Sequence, residues 1–223
     1  MAVELKSHTL QLAATGQRLR IQFDPAVVSP APVEWFGGVL QGMANDGSRF
    51  EAGQTMQVGW SVVRLEAADD GPLEFREPDF RSMPVKWMPG LSNTLVHMAL
   101  HKEIVESVLQ PEELTIPGMR QSCVACNRIG TEPGFDMERQ EPRGEDSGWF
   151  FGCLKQEHDH QAPVNLVRMS LYEIVVRRTR AALPFLAMPP GSLVALDLGQ
   201  RSITRYGIEL EPKPGSRLSR MPP

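Results

Sequence analysis

Alternating apolar and polar residues predict strands at two places in the first half of the chain. Residues 9–23 alternate on both sides of Gly16, which indicates two strands joined by a turn. Residues 55–65 alternate as well and predict one further strand. Apolar residues recur at helical spacing in residues 33–43 and 91–109, so both segments are predicted helices, with Ser92 placed to cap the second.

The second half of the chain predicts several strands and short helices. Residues 166–176 are apolar enough for a strand or a short helix, and periodicity does not decide between them. Residues 179–187 predict a short helix that ends before a Pro-Pro-Gly sequence. The predicted strands are residues 121–127, the aromatic run that begins at Trp149, residues 192–198 and residues 203–210.

These elements together predict an α+β fold, with mainly antiparallel sheets and a few packed helices. The Pro-Gly pair at residues 117–118 suggests a boundary between two small α+β domains, residues 1–117 and 118–211. Residues 212–223 are rich in proline and basic side chains, and we expect a flexible tail there.

Length and composition are those of an ordinary globular protein. The chain has 223 residues, 41% hydrophobic and 22% charged, which is enough to bury a core without disulfides. Its first residues lack the pattern of an export signal, and no apolar run reaches the length of a membrane span. Only three cysteines occur, so we expect a cytoplasmic protein without a disulfide framework and without contact to a membrane.

Charge is distributed unevenly. Residues 1–117 carry a net charge of −6 and residues 118–223 a net charge of +2. No stripe of Lys and Arg interleaved with aromatic residues is present, so direct nucleic-acid binding is not expected. The acidic segment 66–79 reads as a solvated hairpin end, and an acidic surface of this kind favours encounter with a basic partner or serves solubility alone.

Two histidines four residues apart are the first candidate for metal chemistry. His97 and His101 fall on one face of the predicted helix 91–109, which is the spacing of zinc ligands. A zinc protease of this kind needs Glu directly after the first His, and Met98 stands there. We therefore favour core histidines bonded to backbone or carboxylate groups, with a metal-binding enzyme as the alternative.

A C-x-x-C sequence is the second candidate. Cys123 and Cys126 could bind a metal with Cys153, His158 and His160 as further ligands. Residues three apart on a strand point to opposite faces, so the first two cysteines chelate together only if the segment turns. Buried structural cysteines are the favoured interpretation, and we expect no cofactor.

Residues 132–149 form an acidic loop followed by a turn and an aromatic strand. The loop has carboxylates in number but no identifiable acid/base pair, so a solvated loop or a partner-binding surface explains it better than an active site. In Asp146-Ser147-Gly148-Trp149, the first three residues are turn formers, and we expect Asp146 to fix the turn and Trp149 to anchor the core. No motif specifies an enzyme.

Three short segments resemble a known family. They are Ser122-Cys123-Val124-Ala125-Cys126, residues 146–152, and Leu183-Pro184-Phe185-Leu186 with Pro190-Gly191-Ser192. With these segments, the chain from about residue 120 to 198 resembles the bacterial immunity-protein family numbered thirty-three in the classification of polymorphic toxins, and the D-S-G-W turn is its most specific element. The sequence departs from that family at residues 152–155, where a more acidic stretch is expected.

The resemblance implies an antitoxin without a reaction of its own. Such a protein binds and inhibits a cognate toxin delivered by a contact-dependent or type VI secretion system. A cytoplasmic inhibitor implies a toxin that acts in the cytoplasm, such as a nuclease or a nucleotide-consuming enzyme. A plain protein-interaction domain without a toxin is the remaining alternative. Because acidic surfaces speed the capture of basic partners, exposed carboxylates are the candidate toxin contacts. These are Glu132, Asp136, Glu138, Glu141, Glu145, Glu157 and Asp159.

Overall fold

Two open, mixed sheets and a few helices form the protein, which confirms the α+β fold class. The structure is a computed structural model that describes residues 4–131, 134–155, 158–160 and 162–222. The chain divides into two compact units, Met1–Ala99 and Leu100–Pro223, earlier than the boundary expected after residue 117. None of the helices in the described part of the chain is long and apolar enough to cross a membrane.

The first unit contains a six-stranded sheet and helix α1 (Pro30–Asn45). The helix buries Phe36 against Phe75 of the sheet, with the two rings edge to face at 5.4 Å between centroids. Its sheet order is β1-β2-β5-β4-β3, and β6 pairs with β5. The strands are β1 (Lys6–Gln11), β2 (Arg18–Phe23), β3 (Thr55–Val58), β4 (Ser61–Ala67), β5 (Leu73–Pro78) and β6 (Trp87–Pro89).

The strand expected at residues 55–65 is wrong, because the segment is a hairpin of two strands, β3 and β4. Gly59 has a φ of +59°, a left-handed conformation that favours glycine, and it allows the turn between them. Alternation of apolar residues continues through this turn, which is why the pattern looked like one strand.

The acidic segment 66–79 is also less solvated than expected. Arginine side chains of neighbouring strands pair with its carboxylates: Arg20 with Asp70 and Glu74, and Arg76 with Glu66. The distance from Arg20 to Glu74 is 2.8 Å. Much of the charge of this segment is therefore balanced within the sheet.

Glu77 of this segment caps the long helix α2 (Ser92–Glu106). Its buried carboxylate accepts hydrogen bonds from the backbone amides of Asn93, at 3.0 Å, and Thr94, at 2.7 Å. Ser92, the predicted cap, instead accepts a bond from the amide of Asp24. Burial raises the pKa of Glu77, whereas the amides at the helix terminus favour its charged form.

The second unit contains a seven-stranded sheet of order β10-β7-β9-β8-β11-β12-β13. The predicted strands at residues 121–127, at the aromatic run and at residues 192–198 are confirmed. β7 and β9 run parallel, whereas the other neighbouring pairs are antiparallel. The strands are β7 (Ser122–Cys126), β8 (Phe135–Arg139), β9 (Asp146–Cys153), β10 (Leu166–Ser170), β11 (Ser192–Asp197), β12 (Gln200–Arg205) and β13 (Ile208–Glu209).

Short helical segments follow and precede these strands. Residues 166–176, predicted as a strand or a short helix, form one after the other, because β10 runs directly into a helical turn. The last predicted strand, residues 203–210, bends at Gly207 and divides between β12 and β13. The helical segments are Pro111–Glu113, Pro163–Asn165, Leu171–Glu173, Ile174–Arg178, Arg180–Phe185 and Arg217–Arg220.

Residues 212–222 make specific contacts where the sequence predicted a flexible tail. Leu218 in the helix Arg217–Arg220 is completely buried, and its backbone amide donates to the hydroxyl of Ser107 at 3.1 Å. Lys213 donates from Nζ to the carbonyl of Leu109 at 2.6 Å. These contacts attach the C-terminal segment to the second unit.

Candidate functional site

The D-S-G-W turn opens strand β9, and its first and third residues form the bend. Asp146 accepts a hydrogen bond at Oδ1 from the amide of Gly148, at 2.9 Å, as expected of a residue that fixes the turn. Gly148 has a φ of +77°, and a Cβ atom at this position would lie 2.1 Å from the carbonyl oxygen of Gln140. Glycine is therefore required both for the conformation and for the space.

Ser147 joins the turn to the neighbouring strand. Its hydroxyl donates to the carbonyl of Ser122 on β7 at 2.8 Å and accepts from the amide of Trp149 at 3.3 Å. The side chain is fully buried. Ser147 is thus part of the framework, and no histidine is among the hydrogen-bond partners described for it.

Trp149 and Arg139 lie together in the core behind the turn. Trp149 is 1% exposed, as predicted for a core anchor, and its indole Nε1 donates to the carbonyl of Leu186 at 3.0 Å. Arg139 donates from Nη1 to the carbonyl oxygens of Thr115 and Met188, both at 2.6 Å. Burial lowers the pKa of Arg139 to about 10, so its guanidinium remains charged at neutral pH.

Arg139 is the residue that the sequence pattern missed. Residues 132–146 were predicted to be an acidic loop, but they contain strand β8, in which Phe135, Met137 and Arg139 are buried and alternate with Asp136 and Glu138. Arg139 takes a buried position where an apolar residue is expected, so the alternation that marks a half-buried strand is incomplete. The period of two from residue 135 to 139 is the signal that could have revealed it.

A cleft of about 630 Å³ opens beside the turn in the second unit. Four carboxylates and two arginines line it, so its lining is net acidic. Asp146 is paired with Arg168 at 3.1 Å, whereas Glu138, Glu141 and Glu145 are exposed and have no ion-pair partner among the described residues. The cleft is lined by Val124, Glu138, Gln140, Glu141, Arg143, Glu145, Asp146, Gly148, Trp149, Phe150 and Arg168.

The cleft brings together three of the seven carboxylates proposed as toxin contacts: Glu138, Glu141 and Glu145. Asp136 does not line it, because its half-buried side chain lies against Gly152. Burial also raises the pKa of this carboxyl. Asp159 is exposed in the segment after β9. The other two, Glu132 and Glu157, lie outside the described residues.

The two candidate metal-binding histidines on α2 already have partners within the protein. His101 is completely buried and bonds from Nε2 to the carbonyl of Leu183 at 2.8 Å. Burial lowers its pKa to about 4. His97 accepts at Nδ1 from the indole of Trp60 at 3.3 Å. A metal enzyme centred on this pair would have to form around these hydrogen bonds.

The two cysteines of the C-x-x-C sequence lie in different surroundings. Cys123 is buried, donates from its thiol to the carbonyl of Met169 at 3.4 Å, and has a pKa raised to about 12, chiefly by burial. Cys126 lies instead with Cys153 and His158, and the ligand atoms of these three residues are all within 4.8 Å of one another. The strand geometry therefore separates the two cysteines, as their spacing predicted.

Comparison with known proteins gives a match for the second half of the chain. Residues 100–204 match the family model described as the Imm33-like domain. Searches of curated proteins and of solved structures gave no match. The matched range includes the cleft, the D-S-G-W turn and the segment that Trp149 contacts. The resemblance found from the sequence is confirmed, because the family model that matches residues 100–204 is that of the Imm33-like domain.

Proposed function

We propose that the protein is an immunity protein that binds a cognate bacterial toxin and neutralises it in the producing cell. The observation that carries this proposal is the match of residues 100–204 to the Imm33-like domain. Inhibition by binding needs a complementary surface and no reaction of its own, so the protein acts as an antitoxin and not as an enzyme.

The acidic cleft is the proposed centre of the toxin-binding surface. Glu138, Glu141 and Glu145 project there without balancing partners among the described residues, so their charge is available to a basic side chain of the toxin. Opposite charges across an interface speed encounter and select the partner. The acidic segment of the first unit is a weaker candidate, because arginines of its own sheet already pair with it.

A rigid framework supports this surface. Tight inhibitory interfaces bury about 1,600 Å² and bind well when their contact residues are ordered before the partner arrives. Strand β9 lies between β7 and β8, and Gln140 and Glu141, which line the cleft, follow directly after the buried Arg139. The carboxylates therefore project from a backbone that packing holds in place.

The proposed toxin is a basic protein that acts in the cytoplasm, such as a nuclease or a nucleotide-consuming enzyme. Enzymes that act on nucleic acid or nucleotides carry basic surfaces for phosphate, and an acidic inhibitor complements such a surface. Delivery through a type VI or contact-dependent system, and a cytoplasmic location for the inhibitor, belong to the same proposal.

Co-expression with the toxin encoded by the neighbouring gene tests the proposal. We expect wild-type protein to restore growth and to bind the purified toxin. If cells die equally with and without the protein, the immunity function is wrong, and a plain interaction domain would be the remaining explanation.

A charge-reversal variant tests the cleft separately. The triple change Glu138→Lys, Glu141→Lys and Glu145→Lys should weaken toxin binding roughly tenfold or more, because like charges then face each other. Glu209→Lys, at an exposed position outside the cleft, is the matched control and should bind as the wild type does. Full protection by the triple variant would agree with the immunity function but would show that the toxin binds a surface other than the cleft.

A further inference from the structure

Two cysteines end neighbouring parallel strands in the second unit. Cys126 is the last residue of β7 and Cys153 the last residue of β9. Parallel neighbours present their carboxyl ends at the same edge of a sheet, so the two side chains lie close together there. Cys126 is 0% exposed and Cys153 is 3% exposed, and both are free thiols.

Two histidines from the segment after β9 complete the group. The Nε2 atom of His158 lies 3.4 Å from the sulfur of Cys126, and the Nε2 atom of His160 lies 3.3 Å from the sulfur of Cys153. The two imidazole rings are 5.2 Å apart between centroids. The ligand atoms of Cys126, Cys153 and His158 all lie within 4.8 Å of one another, and His160 joins them through its contact with Cys153.

The two sulfur–nitrogen distances, 3.4 Å and 3.3 Å, match edges of a metal-centred tetrahedron. Zinc bonds of about 2.3 Å to sulfur and about 2.0–2.1 Å to nitrogen place tetrahedral sulfur and nitrogen ligands about 3.5 Å apart. Thiolate and imidazole ligands in equal number are typical of structural zinc sites, in which four protein ligands leave no position open for a substrate. We propose that Cys126, Cys153, His158 and His160 bind one structural Zn²⁺ ion.

A carboxylate beside the group supports this assignment. Asp136 pairs in register with Gly152, next to Cys153, and its Oδ1 atom is buried without a hydrogen-bond partner among the described residues. The carboxylate interacts electrostatically with His160. Imidazoles that bind zinc commonly donate their other N–H to a carboxylate. A His160 imidazole held by zinc through Nε2 would have its Nδ1–H available for such a bond.

The proposed ion attaches the segment after β9 to the end of the sheet. His160 lies 6.0 Å from Phe150, ring centroid to ring centroid, and Phe150 lines the acidic cleft. Zinc would therefore order the segment that carries Asp159 next to the cleft. This role concerns the fold of the second unit and does not depend on the identity or existence of a toxin.

Metal analysis of the purified full-length chain, prepared without a polyhistidine tag, tests the site. We expect about one zinc ion per chain in the wild type, and at least about tenfold less in Cys126→Ser and Cys153→Ser. Cys123→Ser is the matched control, because this third buried cysteine lies in the same C-x-x-C sequence but bonds to the carbonyl of Met169. It should keep the full zinc content.

A second measurement does not need any variant to fold. Chelator-treated wild type titrated with Co²⁺ should develop the thiolate-to-cobalt charge-transfer band and the visible bands of a tetrahedral site, and added Zn²⁺ should remove them. The proposal is overturned if the wild type contains no zinc and binds neither added ion. It is also overturned if intact mass shows a Cys126–Cys153 disulfide, or if Cys123→Ser loses zinc as completely as Cys126→Ser.

Discussion

Arg139 and Trp149 share one acceptor: both side chains donate to the carbonyl oxygen of Leu186, at 3.2 Å and 3.0 Å. The guanidinium carbon also lies 5.4 Å from the centre of the indole ring, a cation–π arrangement. Ser147 in the same turn donates to Ser122. Of the three sequence segments that resemble the immunity family, residues 146–152 therefore contact both of the others, and the segments pack together in the second unit.

Trp149→Ala should lower the free energy of unfolding by about 3–5 kcal/mol, because it removes a fully buried ring and the hydrogen bond to Leu186. Trp35→Ala is the matched control at a side chain that is 54% exposed, and it should change stability by less than about 1 kcal/mol. Urea unfolding followed by circular dichroism measures both. Equal stability of the two variants would place Trp149 at the surface.

Arg139→Ala should destabilise the protein by about 3 kcal/mol or more. The change leaves the carbonyls of Thr115 and Met188 without this donor, whereas Leu186 keeps the bond from Trp149, and each unsatisfied buried acceptor costs about 1–3 kcal/mol. Arg143→Ala, at an exposed arginine that lines the cleft, is the control and should be within about 0.5 kcal/mol of the wild type. Similar midpoints of urea unfolding for both variants would contradict the proposed role of Arg139.

Gly148→Ala should be more destabilising than Gly144→Ala, although both glycines have positive φ. A left-handed conformation alone costs an alanine about 1–2 kcal/mol, and Gly144 has open space for a Cβ atom. At Gly148 the Cβ atom would also meet the carbonyl of Gln140 at 2.1 Å, so the turn has to shift. Thermal unfolding of the pair measures the difference, and equal melting temperatures would show that backbone conformation alone decides the cost.

Local signals made the turn predictable from the sequence, and distant partners made the arginine unpredictable. The D-S-G-W sequence combines short turn formers with a large aromatic residue, and both act within a few residues of the chain. The buried Arg139 is stabilised by carbonyls of Thr115 and Met188, far away in the sequence. No pattern along the chain shows that these carbonyls converge, so a buried arginine could not be predicted there, although the period of two of its strand could.

The metal-ligand group shows the same limit. Strand geometry predicted that Cys123 and Cys126 separate, and they do. Cys126 lies beside Cys153 and not beside Cys123. This contact follows from the parallel pairing of β7 and β9, which is a property of sheet order. The spacing of residues along the chain does not reveal the order of strands in a sheet. The sequence therefore indicated Cys153, His158 and His160 only as possible further ligands.

His101 should make the protein less stable as the pH falls below about 6.5. Burial lowers its pKa in the folded protein to about 4, whereas an unfolded histidine has a pKa of about 6.5. Protons therefore bind the unfolded state first, so the contribution is fully present above pH 6.5 and is lost between about pH 6.5 and 4, by about 3 kcal/mol in total.

The variant His101→Gln isolates this effect. Glutamine keeps an N–H donor for the carbonyl of Leu183 but does not titrate, so other groups such as the buried Glu77 affect both proteins alike. The free energy of unfolding is measured with urea from pH 8 to pH 4.5. As the pH falls, the wild type should lose stability relative to the variant. A difference that stays constant over this range would mean that His101 has the same pKa in the folded and the unfolded protein, as a solvent-exposed histidine has.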